Sequence, residues 1–373
     1  MRQGLSWRLD FRSLQTLNSF VFRTCATLLV GFLAALLCVT LKTPLPWMIG
    51  PLLSTALLSM LNVPTRSWIG FRNVGQWLIG AALGLYFTPQ TNAMVLQLWW
   101  LVVLTIVWSL VLGCGFGAWL YAHCQSRGLD LDPATAYFAS AIGGASEMTL
   151  LAERESARAE LVAAAHSVRI LMVTLTVPFA IQWMGWHGLD ATFRTLLPFN
   201  FQGLLALTAL TGAGALIMKA LKRPNAWFIG PLLVSLCLTG NQINLSGIPV
   251  WMTNAAQCFI GISLGVRFNA QFIHTAPRWL IGVAWGTAGM MILCAGFAWA
   301  LSWFTPFPVA TLILATAPGG IAEMAITAKV LQLGAALVTA LQACRLLAVL
   351  FLADPLYQWL RPSMQAHAGK PED

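Results

Sequence analysis

The chain repeats itself. PWMIGPLL at 46–53 returns as AWFIGPLL at 226–233, and QWLIGAALGLYF at 76–87 returns as QCFIGISLGVRF at 257–268. SAIGGASEM at 140–148 aligns with TAPGGIAEM at 316–324, and HSVRILMV at 166–173 with QACRLLAV at 342–349. The order is kept and the offsets stay between 176 and 181 residues, so two copies of one unit follow each other. Any fold has to build that unit twice. The boundaries read from it are a tail at 1–19, a first repeat at 20–186, a linker at 187–199, a second repeat at 200–361 and a tail at 362–373.

The unit is made for lipid. Only 9% of residues are charged and the mean hydropathy is +0.75, against roughly 25% charged in soluble domains. Each copy holds six apolar segments, 20–41, 47–62, 68–87, 94–122, 134–152 and 160–186, then 200–221, 227–240, 251–268, 277–304, 309–328 and 335–359. Several reach the ~20 residues that a helix needs to cross a bilayer. Trp47 and Trp227, near segment ends, read as interface anchors. The expected fold is an all-α polytopic membrane protein, with the bilayer as its first partner and a homo-oligomer compatible with it.

Charge decides how the segments cross. Cytoplasmic loops are enriched in Lys and Arg. If all twelve segments cross from a cytoplasmic N-terminus, the 18 Lys and Arg outside the segment interiors divide 9 to 9. If the fifth segment of each copy enters and leaves on one side, 15 lie inside and only Lys42, Arg194 and Lys329 lie outside. The second arrangement keeps the bias. It implies two inverted repeats of about five crossings plus one re-entrant segment each, with both termini cytoplasmic.

The fifth segments also read as broken helices. Gly143 and Gly144 interrupt the first, and Pro318, Gly319 and Gly320 the second, because Pro removes a donor and disfavours helix before it. Broken backbone is tolerated at membrane depth only beside protein or a watery cavity. Inverted repeats whose broken helices meet near the midplane are a recurring plan of secondary transporters.

Glu147 and Glu323 each follow their break by three residues, which sets a carboxylate in the first turn of the next half-helix, where the dipole favours it. Arg169 and Arg345 stand at matching places in strongly apolar runs, where a charge costs about 2.5–3.5 kcal/mol on insertion scales. The expectation is that each acid pairs with one of the arginines. Such pairs either line a solute or ion site or merely lock the broken helices to their neighbours. Gln76 and Gln257 open the Q-x-x-I-G-x-x-L-G blocks, whose G-x-x-x-G spacing suits close helix packing. Their amides are either packing groups or contacts to a polar ligand.

Several function classes drop out. No Ser/His/Asp constellation, Walker loop or Rossmann fingerprint appears, and the five His and eight Cys show no metal-ligand spacing. An enzyme, a cofactor and a bound metal are therefore not expected. No basic block of five or more supports nucleic-acid binding. The four block pairs resemble the AbrB family of duplicated bacterial membrane proteins over residues 20–360. That resemblance implies a bacterial inner-membrane location and the family's description as regulators of gene expression, some members carrying an ammonia monooxygenase label. It implies no catalytic residues, and the absence of a His or Cys cluster disfavours ammonia oxidation. The expected function is movement of a small polar or anionic solute, with a membrane-embedded regulator or sensor as the alternative.

Overall fold

The computed structural model describes residues 11–129, 131–186, 188, 198–223, 225–268 and 277–368. Most of the linker at 187–199, with Arg194, lies outside the described residues, as do 1–10 and 369–373. Every element among them is an α-helix. In the first copy these are α1 (Phe11–Thr40), α2 (Pro46–Met60), α3 (Ile69–Gly84), α4 (Pro89–Gln97), α5 (Trp99–Ser126), α6 (Pro133–Ser140), α7 (Ala145–Arg154) and α8 (Ala159–Trp183). In the second they are α9 (Phe201–Ala220), α10 (Ala226–Gly240), α11 (Val250–Gly265), α12 (Pro277–Ser302), α13 (Val309–Thr316), α14 (Ile321–Val330) and α15 (Ala335–Ala368).

Six of these are long and apolar enough to cross a membrane: α1 from Phe20, α5, α8, α9, α12, and α15 as far as Arg361. Their exposed faces carry large apolar side chains such as Phe22, Val111, Ile217 and Ile292, as helices facing lipid do. The segment read as continuous over 94–122 is divided. Thr88 Oγ1 accepts the Thr91 amide at 3.3 Å and Pro89 opens α4, which stops at Leu98 before α5 begins. Thr88 and Pro89 together make a strong helix start, and they lie ahead of the apolar run, outside the span that hydropathy marks.

The helices sort into two groups. One contains α1, α2, α3, α9, α10 and α11, and the other α5, α6, α7, α8, α12, α13, α14 and α15. Contacts come in matched pairs: α3 on α10 is answered by α2 on α11, α5 on α6 by α12 on α13, and α5 on α15 by α8 on α12. The two copies thus exchange equivalent surfaces through both groups.

Glycine sets the approach in the first group. A Cβ on Gly84 would lie 2.7 Å from Leu232 O, and one on Gly265 2.5 Å from the equivalent Leu52 O. Gly80 meets Phe228 as Gly261 meets Met48. The G-x-x-x-G blocks are crossing points where backbone touches backbone, as close helix approach requires. Gln257, next to that seam, is 5% exposed.

Candidate functional site

Each fifth segment is a pair of half-helices. In the first copy α6 ends at Ala141 (φ −53°, ψ 133°) and α7 starts after Gly144 (φ −68°, ψ 136°). In the second α13 ends at Ala317 (φ −53°, ψ 140°) and α14 starts after Gly320 (φ −76°, ψ 151°). The angles match although Ile142 stands where the second copy has Pro318. Proline is therefore not what breaks the helix.

The glycines are there for room, since neither break uses a positive φ. A Cβ on Gly143 would lie 2.8 Å from Met148 Cε, and one on Gly319 3.0 Å from Met324 Cε. A Cβ on Gly144 or Gly320 would collide with the carboxylate of Glu147 or Glu323, which folds back over the start of its own helix. The Glu323 carboxylate accepts its own backbone N–H. This is the N3 position, from which an acidic side chain reaches back to the unpaired amides of the first turn. The motif G-G-x-x-E-M is thus one packed unit: the first Gly admits the Met and the second admits the Glu.

The arginines serve the opposite ends. Arg169 donates from Nη1 to Ser140 O at 3.0 Å and from Nη2 to Ala141 O at 2.9 Å. Arg345 donates from Nη1 to Ala317 O at 2.7 Å and from Nη2 to Gly319 O at 3.1 Å. The last carbonyls of a helix have no partner within it, and a broken helix leaves them among buried residues such as Ser140 and Ala317. A guanidinium supplies several donors in a fixed fork and a positive charge at the negative dipole end. The expected Glu–Arg pairs are therefore corrected. Among the described residues neither Glu147 nor Glu323 forms an ion pair with an arginine, whereas Arg361 and Glu155 do, at 3.5 Å. Each break instead holds its acid at a helix start and its base at a helix end.

Two further side chains complete the arrangement. His166 Nε2 lies 3.0 Å from Phe138 O and its Nδ1 lies 2.6 Å from Arg169 Nη2. A carbonyl only accepts, so Nε2 carries the proton and Nδ1 accepts from the arginine. Gln342 does the same work in the second copy: Nε2 donates to Leu314 O at 2.7 Å and Oε1 accepts from Arg345 Nη2 at 2.6 Å. Their shared place, three residues before each arginine in the aligned blocks, puts them on the arginine's helical face. That spacing was the available signal for a role that the sequence alone did not disclose.

The two breaks meet. A Cβ on Gly144 would be 3.6 Å from Leu346, and one on Gly319 would be 3.0 Å from Val173, each on the sixth segment of the other copy. Around them lies a cavity of about 240 Å³, walled by both breaks, by Glu147, Glu323, Arg169 and Arg345, and by Gln76. Gln257 is absent from this wall. The sixfold group of α1–α3 and α9–α11 closes the other side with Arg72 and Asn73 of α3, Asn225 and Trp227 at the start of α10, and Arg267 just past α11. Trp227, read as an interface anchor, instead faces this space. Arg72 and Arg267 share this wall with Glu323. Arg267 stands where the first copy has Tyr86 in the aligned blocks, so the lining is not symmetric. No group of three His, Cys, Asp or Glu able to hold a metal occurs among the described residues.

The chain matches the family model described as "Transition state regulatory protein AbrB" over residues 47–361. It is 26% identical over 338 residues to "Putative regulator AbrB" of Escherichia coli (strain K12), covering 89% of this chain and 92% of that one. It is 27% identical over 342 residues to "Uncharacterized protein YhjN" of Bacillus subtilis (strain 168), covering 84% and 87%. No solved structure matches it.

Proposed function

The chain belongs to the AbrB family, and from that premise we propose that it carries a small polar or anionic solute across the bacterial inner membrane, leaving it chemically unchanged. The observation that carries this reading is the meeting of two equivalent helix breaks at one polar cavity between two groups of helices. Four arginines and two glutamates share that lining. Intramembrane charge beside interrupted helices is a recurring feature of solute and ion paths.

The architecture proposed with it has ten crossings. These are the six long helices plus α2, α3, α10 and α11, with α6–α7 and α13–α14 as re-entrant pairs. The matched contacts between copies fit a two-fold axis, and the division of 15 Lys and Arg against 3 favours laying that axis in the membrane plane with both termini cytoplasmic. Arg72 and Arg267 then sit at the cytoplasmic ends of α3 and α11, so the cavity is approached from the cytoplasm. Movement of one helix group against the other, around the breaks, is how alternating access would proceed.

Purified protein in liposomes tests the function. Solute flux that disappears in Glu147→Gln or Glu323→Gln is the expected result, and a saturable ligand with no flux in the wild type refutes transport. That second outcome would favour the other reading, a membrane-embedded regulator acting as a sensor, for which the name of the Escherichia coli relative speaks. Orientation is tested by labelling Arg154→Cys and Arg194→Cys in cells. Position 154 should react from the cytoplasm and 194 from outside, and the reverse pattern removes the inverted arrangement.

A further inference from the structure

We propose that the solute of this cavity is a small organic anion whose charged group, a carboxylate or a phosphate, is recognised by Arg72 and Arg267. This rests on the reading of the cavity as a solute site and adds the chemical class and the side chains that select it. Six charged residues wall the space, and four of them are already engaged. Arg169 and Arg345 direct their Nη groups to helix-end carbonyls. Glu147 and Glu323 are folded back over the starts of α7 and α14. Arg72 and Arg267 remain. Both line the cavity, and both are only half-buried. Among the described residues neither donates a hydrogen bond nor forms an ion pair.

The fold does not ask for these two cations. In the aligned blocks Thr253 stands where the first copy has Arg72, and Tyr86 where the second has Arg267. Both copies nevertheless build the same 16-residue helix, α3 over Ile69–Gly84 and α11 over Val250–Gly265. Arg72 is the fourth residue of α3, where the positive dipole end disfavours a cation. A third position follows the same rule. Asn225 precedes α10 with φ 48°, and its equivalent Leu45 precedes α2 with φ 46°. Asn225 lines the cavity, whereas Leu45, Tyr86 and Thr253 are all buried. Two equivalent surfaces thus differ in polarity, and the charged one faces the cavity.

A guanidinium with no internal partner offers an oxyanion charge-assisted hydrogen bonds from a planar fork. Four arginines against two glutamates leave the wall with an excess of positive charge. A cation is repelled there, and a neutral solute leaves both guanidiniums without a counter-charge. The half-buried amides of Asn73, Gln76 and Asn225 share the wall. They both donate and accept, which suits a polar body carrying the anionic group. About 240 Å³ gives room for a small organic molecule.

The test is calorimetric titration of the purified full chain in detergent with two matched pairs, lactate against lactamide and glycerol 3-phosphate against glycerol. In at least one pair the anion should bind saturably and its neutral counterpart about tenfold more weakly or worse, the loss expected for one hydrogen bond to a charged group. The pair that does so tells carboxylate from phosphate. Arg72→Thr and Arg267→Tyr introduce what the other copy uses at the same places. Each should weaken the anion about tenfold or more and leave the neutral counterpart unchanged. Unfolding midpoints without ligand report separately whether these variants fold. If either does not, Arg72→Gln or Arg267→Gln replaces it and should show the same loss. Equal affinity within both pairs, no binding of any of the four, or full anion affinity in the folded variants overturns the proposal. Flux of a neutral or cationic solute in liposomes alongside any of those results would leave the broader transport reading standing. Anion binding that needs both arginines, with no flux, would refute transport and leave this site assignment in place.

Discussion

Replacing His166 separates the arrangement found at the helix breaks from simple core packing. The ring is fully buried, donates to Phe138 O and accepts from Arg169 Nη2. His166→Leu keeps an apolar body in the site but removes both bonds. Losing the acceptor for a charged donor costs about 1.5–3 kcal/mol, and stranding a buried carbonyl costs about 1–3 kcal/mol. The added apolar contact offsets part of that sum, so a loss of about 2–5 kcal/mol is expected. His166→Gln should cost less than about 1 kcal/mol, because Gln342 already performs the same double role beside Arg345 with bonds of 2.7 and 2.6 Å. The reciprocal pair, Gln342→His and Gln342→Leu, should behave likewise. Equilibrium unfolding in mixed micelles of rising dodecyl sulfate content measures all four. If leucine is tolerated at 166 as well as glutamine, the side chain is only filling space, and the account of how Arg169 is held fails.

Other outcomes follow from the same geometry. Gly265→Ala should destabilise by about 1–3 kcal/mol, read in the same unfolding assay, because the added methyl would stand 2.5 Å from the backbone oxygen of Leu52 and backbone cannot turn aside. Gly320→Ala should abolish liposome flux with a smaller loss of stability, since the methyl displaces the Glu323 carboxylate, a side chain that can move. Pro318→Ile should change the unfolding free energy by less than about 1 kcal/mol, as the first copy makes the same turn with Ile142; a loss of several kcal/mol would show that proline does drive the second break.

The sequence alone determined the duplication, the helical class, the membrane as solvent and the positions of both breaks. Those properties are local or additive: hydropathy along a segment, identity between aligned blocks, and glycine pairs that weaken a helix wherever they fall. It also singled out Glu147, Glu323, Arg169, Arg345 and Gln76, because charge and polarity in an apolar run stand out without any knowledge of neighbours. What each charge does was settled only in three dimensions. Pairing by opposite sign was the simplest guess. The unpaired carbonyls at the ends of α6 and α13, however, are invisible in a string of letters, and they claim the guanidiniums before the glutamates do. Arg72, Arg267 and Trp227 entered the cavity for a similar reason. They lie at helix ends, where a sequence reads only solvent or interface, and it is the docking of one helix group on the other that turns those ends inward.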